Sequence, residues 1–455
     1  MSKKWYIARF CNMKIVREKN LLYLCVTKTV HVPIISHSMT IKRDTYLQQL
    51  IDAKQNGLIK VITGPRRCGK SFLLTTIFHE YLIDEGVGED HIIEIALEDR
   101  INKELRNPDK MLHHVRSLVT DSDPYYIIID EVQKLEEFVD VLNSFMHIRN
   151  ADVYVTGSNS RFLATDIATE FRGRDHQIRL YPLSFAEYYS AIGGDRRVAW
   201  ENFYTFGGLP LILSYKTDRE KSNYLQSLFQ TAYMADILER YNIRNDAELR
   251  KLVDIIASSI GTPCNPTRIA NTFKSVENTS IASTTIDRYL SYLSDAFIIS
   301  KADRYDVKGR KYIGTLAKYY FEDVGIRNAA LNFRQQEETH IMENVIYNEL
   351  RIRGYNVDVG DVEIRKQTED GQRVRVHLEI DFVVNQGSQR YYIQSALAIP
   401  TREKEEQETR SLNNVDDSFK KIVIVNRDIK PWRNEKGIVI MGLMDFLLNP
   451  NSLEY

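Results

Sequence analysis

The chain of 455 residues has room for about three domains of ordinary size, each with its own buried core. Its 43% hydrophobic and 27% charged residues are a globular balance, which excludes a disordered or fibrous chain. Lys and Arg number 61 against 62 Asp and Glu, so no overall field attracts a polyanion, and any nucleic-acid surface must be a local patch.

The first 38 residues differ in character from the rest of the chain. The apolar stretch "NLLYLCV" is interrupted by Thr27-Lys28 and is too short for a secretory signal. Met39 directly precedes "TIKRDTYLQQLIDA", an amphipathic helix pattern, and is the expected natural start of the folded unit. The alternative is a true extension packed on the rest of the chain or on a partner. Cys11, Cys25, Cys68 and Cys264 are widely spaced and lack the C-x-x-C pattern of a metal or redox site. No apolar run approaches the ~20 residues needed to span a bilayer. The expectation is a soluble, cytoplasmic protein.

The helix leads into "VITGPRRCGKSFLL". Gly64-Pro65-Arg66-Arg67-Cys68-Gly69-Lys70-Ser71 matches G-x-x-x-x-G-K-[ST], with a strand pattern ("IKVIT") before it and a helix pattern from Ser71 and Phe72 after it. In such a loop the glycines let backbone N–H groups turn inward on phosphates and the helix presents its positive end. Lys70 would reach the β- and γ-phosphates, and Ser71 would ligate Mg²⁺. The bland reading is a Gly-rich strand-to-helix turn.

Next comes "PYYIIIDEVQKL", an apolar run that reads as a strand buried on both faces and ends at Asp130-Glu131. Ligands sit at the carboxyl ends of such strands. Asp130 is placed to hold Mg²⁺ through water, and Glu131 to orient and deprotonate an attacking water; the bland reading is a solvated acidic turn. In "ADVYVTGSNSRFL" a polar residue at the strand end can bond a γ-phosphate or the water. Ser158 and Asn159 are the candidates and Thr156 a lesser one. In "FRGRDHQIRL", Arg172 and Arg174 flank a glycine, and Arg174 is the candidate to neutralise charge on the transferred phosphoryl group, in cis or from a neighbouring subunit. An exposed basic turn is the plainer alternative. "FGGLPLIL" marks a bend in the lid expected after the nucleotide core.

These motifs, with "KYYFEDVGIRN", "ENVIYNEL" and "EIDFVV" in that order, resemble a family of AAA-superfamily ATPases of bacteria and archaea that carry a C-terminal domain of unknown function. The resemblance runs from about Met39 onward. It implies ATP, rather than GTP, and Mg²⁺ as ligands; the absence of an N-K-x-D base-reading motif agrees. Cys68 departs from the small residues usual in such loops, and a thiol there is expected to open the site to alkylation.

From about Glu248 to Asp306, two short helical patterns, a longer helix with Ile286, Tyr289, Leu290 and Leu293 on one face, and "FIISKADRY" compose a winged-helix-like unit. Thr284 to Arg288 would begin its recognition helix, although such units also serve as lids or protein contacts. The last segment resembles a restriction-endonuclease-like core, which implies Glu343 and Asp381 as its acids. Where that core carries acid-x-Lys, this chain has Gln394-Ser395-Ala396, so no lysine is expected and the domain reads as a degenerate nuclease used for binding or as a scaffold. "TREKEEQETR" reads as a solvated helix and "KKIVIVNRD" as one more strand.

The expected fold is α/β: an extension at 1–38, a P-loop ATPase domain with a parallel sheet at 39–215, a helical, winged-helix-like middle at 216–310, and an α/β nuclease-like domain at 311–455. The expected function is a Mg²⁺-dependent ATPase acting as a switch or motor on DNA or a protein partner, with shared sites in an oligomer left open. The alternatives are an ATP-gated regulator with negligible hydrolysis and an ATP-dependent nuclease.

Overall fold

The apolar runs around Val61, Ile128 and Val155 become central strands of a sheet in the computed structural model, which describes residues 41–157, 171, 173–276, 280–334, 337–367 and 372–455, with the backbone of an antiparallel pair, β1 (Lys14–Glu18) and β2 (Leu21–Cys25). Met39, Ser158, Asn159 and Arg172 lie outside the described residues. The sheet comprises β3 (Ile59–Thr63), β4 (Ile92–Ala96), β5 (Tyr125–Asp130), β6 (Ala151–Thr156) and β7 (Asp175–Arg179). They lie in the order β4-β5-β6-β3-β7, all parallel. Alternate residues feed two cores. Ile59, Val61, Ile127, Ile129, Val153 and Val155 face one, and Ile62, Tyr126, Ile128 and Tyr154 the other. β6 is inserted between β3 and β5, so the end of β6 stands between the turn after β3 and the acids after β5. Strand order reverses at β3, where open α/β sheets bind their ligands.

After the sheet the chain is helical: Arg196–Phe206, then Asp218–Leu228 continuing through a π-helical segment, Phe229–Met234, into Ala235–Arg240, then Asp246–Ser258, Pro266–Val276 and Ser283–Asp295. In Ser283–Asp295 the buried residues are Ile286, Tyr289, Leu290 and Leu293, the face legible in the sequence. There follow β8 (Ile299–Asp306), β9 (Lys311–Phe321), β10 (Asn356–Gln367), β11 (Arg373–Gln386), β12 (Gln389–Ala396), β13 (Lys420–Val425), β14 (Trp432–Arg433) and β15 (Val439–Gly442).

These eight strands form one mixed sheet, β14-β15-β13-β12-β11-β10-β8-β9. The boundary expected at 310–311 therefore falls in the turn of the β8–β9 hairpin, and β8 pairs in parallel with β10 through Val359↔Arg304 to Asp361↔Asp306. One continuous apolar cluster runs from Leu183 through the helices to Leu453, so the middle and C-terminal segments share a core rather than meeting at a linker. Arg402–Glu408 is a helix with no buried residue, as its charge run requires. Among the described residues no helix is long and apolar enough to cross a membrane.

Candidate functional site

The turn after β3 is built on backbone conformations that side chains resist. Gly64 has φ +144°, and a Cβ there would lie 2.0 Å from the Leu180 carbonyl oxygen, so glycine is the only residue that fits. Arg67 (φ 64°) and Gly69 (φ 100°) carry the chain through the left-handed region before the helix that starts at Lys70. Lys70 is buried and curls back over the loop, its Nζ donating to the carbonyls of Gly64 at 3.0 Å and Pro65 at 2.9 Å. Ser71 and Phe72 are exposed at the helix start, and the Ser71 hydroxyl donates to Asp130 at 2.8 Å from Oδ2 and 3.0 Å from Oδ1.

Thr156, at the end of the intervening strand, closes the arrangement. Its hydroxyl donates to Asp130 Oδ1 and accepts the backbone N–H of Glu131 at 2.9 Å. Glu131 sits in the left-handed region (φ 55°, ψ 53°), a conformation a non-glycine residue keeps only when its surroundings impose it. The Gln133 side-chain amide donates to its carboxylate. Lys70, Ser71, Asp130 and Glu131 are thus brought to one end of the sheet, with the Thr156 hydroxyl between the Asp130 carboxylate and the Glu131 backbone. A hydroxyl and a carboxylate within 3 Å at the end of buried strands are the oxygen ligands that suit Mg²⁺.

Two expectations are corrected. Cys68 is 1% exposed, points inward with Sγ 3.8 Å from the Leu180 carbonyl, and has its pKa raised by burial, so it is shielded from alkylation rather than open to it. Arg174 cannot reach the loop of its own chain. Ile59 pairs with Asp175 and Thr63 with Arg179, so Arg174 lies beside the start of β3, about 16 Å of strand away from its loop end.

The helices close over the loop through Asp236 and Tyr233, which belong to none of the sequence motifs. Arg66 forms an ion pair with Asp236, and the Tyr233 hydroxyl donates to the Arg66 carbonyl at 2.9 Å. The Gly207-Gly208 bend is tied to the C-terminal sheet, because the Gly208 N–H donates to Asp323 Oδ2 at 2.8 Å. Burial pushes the Asp323 carboxyl up to about 6 against the backbone N–H groups of Gly208, Ile326, Gly325 and Leu209, which lower it. Arg179, at the end of β7, pairs with the neighbouring Glu322.

The third correction concerns the C-terminal acids. A lysine does stand among them, supplied by β9 rather than by β12. Lys318 Nζ lies 2.9 Å from Glu343, 2.8 Å from Glu379 and 3.6 Å from Asp381, and Lys318 is 2% exposed. Tyr320 donates to Glu343 at 2.6 Å and the Ser395 N–H to Asp381 at 2.8 Å. Burial alone would lower Lys318, but the carboxylates of Glu343, Asp381 and Glu379 outweigh it and raise its pKa. Burial, then Glu343, raise Asp381.

Comparison with known proteins agrees with the nucleotide core. Residues 56–189 match the AAA domain family and residues 197–337 a domain of unknown function, DUF8612. An uncharacterized protein of Haemophilus influenzae is 31% identical over 414 residues, covering 90% of this chain and 98% of that protein. The uncharacterized protein MJ1544 of Methanocaldococcus jannaschii is 30% identical over 313 residues, covering 65% and 67%. Among solved structures, the Walker-type ATPase PABY2304 of Pyrococcus abyssi is 14% identical with TM-score 0.46, covering 64% of this chain and 96% of that one. The Orc1 protein of Aeropyrum pernix in complex with DNA is 12% identical with TM-score 0.27, covering 64% and 93%. With its likeness along nearly the whole Haemophilus influenzae protein, the chain belongs to that protein's family, and its own five-stranded parallel sheet and P-loop make residues 56–189 an AAA-type P-loop ATPase domain.

Proposed function

We propose that the chain is a Mg²⁺-dependent ATPase that works as a switch, its nucleotide state carried to the helices and C-terminal sheet, with DNA as the partner. The observation that carries the reading is the junction of Ser71, Asp130, Thr156 and Glu131, in which one threonine hydroxyl joins the carboxylate suited to Mg²⁺ and the backbone of the glutamate suited to a base. Ser71 and Asp130 would hold Mg²⁺, which when bound neutralises charge on the phosphoryl oxygens. Lys70 exchanges the Gly64 and Pro65 carbonyls for phosphate oxygens, and the loop N–H groups from Gly64 to Phe72 surround them. Glu131 takes the proton of the attacking water. Ser158 and Asn159 remain proposed contacts to the terminal phosphate. Arg174 can serve only from a neighbouring subunit.

The switch reading is supported by the ties around the loop. The lid grips it through Arg66, Asp236 and Tyr233, and Glu322-Asp323 join β7 and the Gly207-Gly208 bend to the C-terminal sheet. One observation favours the alternative of an ATP-gated regulator with low basal turnover: the Gln133 amide competes with water for Oε2 of the Glu131 carboxylate. We read the C-terminal domain as a scaffold rather than a nuclease, since Lys318 is 2% exposed and held between Glu343 and Glu379 inside the sheet rather than placed two residues after an acid on β12.

Ser71→Ala removes the hydroxyl next to Asp130 and leaves the loop backbone intact. It is expected to raise the Mg²⁺ concentration giving half-maximal ATP turnover by about tenfold or more, one lost ligand contact being of the order of a charge-assisted hydrogen bond. An unchanged Mg²⁺ dependence would remove Ser71 from the metal site.

A further inference from the structure

The formal charge of the whole chain is −1, yet cations collect at one corner of the mixed sheet. Lys308, Arg310 and Lys311 are exposed at the β8–β9 turn, beside Tyr312, which is 66% exposed. On the strands beyond that turn, Arg365 on β10 and Arg373 and Arg375 on β11 are exposed on one face and Lys366 on the other. Pairing between β8 and β10 ends at Asp361↔Asp306. Past that point β10 and β11 continue as a two-stranded ribbon, from Val362↔Leu378 to Gln367↔Arg373, about 20 Å long. Carboxylates stand among these seven cations but are fewer: Asp306 is directly opposite Lys311, and Asp358 accepts the Tyr312 hydroxyl at 3.2 Å. Asp306 is occupied in capping the turn, its Oδ1 accepting the Gly309 N–H at 2.8 Å, and Glu363 lies 3.6 Å from Arg375. The sequence between the strands adds Glu369 and Asp370.

The ribbon also keeps a pairing that folding alone disfavours. Arg365 stands directly opposite Arg375, like charges at facing positions of an antiparallel pair that destabilise it, and Glu363, 3.6 Å from Arg375, offsets only part of that repulsion. Both side chains are exposed and neither serves the core. An anionic partner relieves that repulsion.

We propose that this corner is a duplex-DNA surface, with the β10–β11 ribbon entering the major groove and the β8–β9 turn on the flanking phosphates. A two-stranded ribbon fits the roughly 12 Å major groove of B-form DNA, whereas the major groove of double-stranded RNA is too deep and narrow to admit it. Lys and Arg at the turn supply backbone contacts independent of sequence. The inference rests on DNA being the partner and makes no use of ATP hydrolysis.

The test is fluorescence anisotropy of a short labelled DNA duplex with the full chain, without nucleotide, at salt from about 50 to about 200 mM. The triple reversal R365E/R373E/R375E is expected to weaken binding at least about tenfold and to lower the slope of log affinity against log salt by about 2 to 3, since each lost phosphate contact contributes about 0.9. K308E/R310E/K311E should weaken binding in the same direction. The charge control R402E/K404E, on the exposed helix elsewhere, should bind as the unaltered chain does. Circular dichroism and ATP turnover like those of the unaltered chain establish that each variant is folded. The proposal is overturned if the unaltered chain does not bind duplex DNA, if the triple variant binds equally well, or if duplex RNA binds as tightly as DNA. Absence of ATP turnover with DNA binding intact would instead count against the hydrolase reading alone.

Discussion

Glu131→Gln is expected to lower ATP turnover by about 10²- to 10⁴-fold, the usual contribution of a positioned general base, while nucleotide binding stays near its original strength. The substitution keeps size and shape, so the left-handed backbone at 131 and its N–H bond to Thr156 are retained. Lys70, Ser71 and Asp130 are untouched, and those are the groups proposed to hold the phosphates and Mg²⁺. What is lost is the carboxylate that accepts a proton. Phosphate release and equilibrium binding of a fluorescent ATP analogue, measured on the same preparation, separate the two effects. If turnover survives within about threefold, Glu131 is not the base; if binding collapses as well, it is part of the cradle instead.

Lys318→Met is expected to cost about 3–5 kcal/mol, the usual penalty for removing one partner of a buried ion pair. Methionine fills much of the same volume, so the loss comes from charge. Glu343, Glu379 and Asp381 all lie within 3.6 Å of one ammonium, and without it they face one another, Glu343 and Asp381 buried and Glu379 half-buried. Adding Glu343→Gln to Lys318→Met should recover part of the loss, because it removes a carboxylate that no longer has a counter-ion. Urea unfolding of the C-terminal core reads both. A loss below about 1 kcal/mol would mean that the cluster is open to water and weakly coupled.

The nucleotide core is legible in the sequence because its information is local. Gly64 to Ser71 and Asp130-Glu131 announce themselves by spacing and by the apolar runs before them, and the structure brings them to one end of the sheet. Whatever depends on strand order is not legible in that way. Thr156 ranks below Ser158 and Asn159 on the sequence alone, and only the placement of β6 between β3 and β5 shows that its hydroxyl reaches Asp130 and the Glu131 backbone. Arg174 has the residue type of a phosphate-stabilising cation, but the β3–β7 register puts it at the opposite end of the strand from the loop. Cys68 reads as exposed because loops usually are; here the turn folds its thiol under β7 toward Leu180.

The C-terminal half shows the same limit. A lysine is sought two residues after an acid on β12, while Lys318 arrives from β9 through a β8–β9 hairpin that joins the sheet by a parallel pairing about fifty residues distant in sequence. The same pairing erases the boundary at 310–311. No periodicity within either strand encodes which neighbour it takes, so the shared core of helices and sheet is visible only in the folded chain.

The central claim, that the turn after β3 is a working phosphate cradle, is tested most directly by steady-state phosphate release from ATP and Mg²⁺ by the full chain beside Lys70→Ala. The account predicts measurable release that falls to background in the variant, since Lys70 is the cation seated over the loop carbonyls of Gly64 and Pro65. Equal release by both proteins would contradict it.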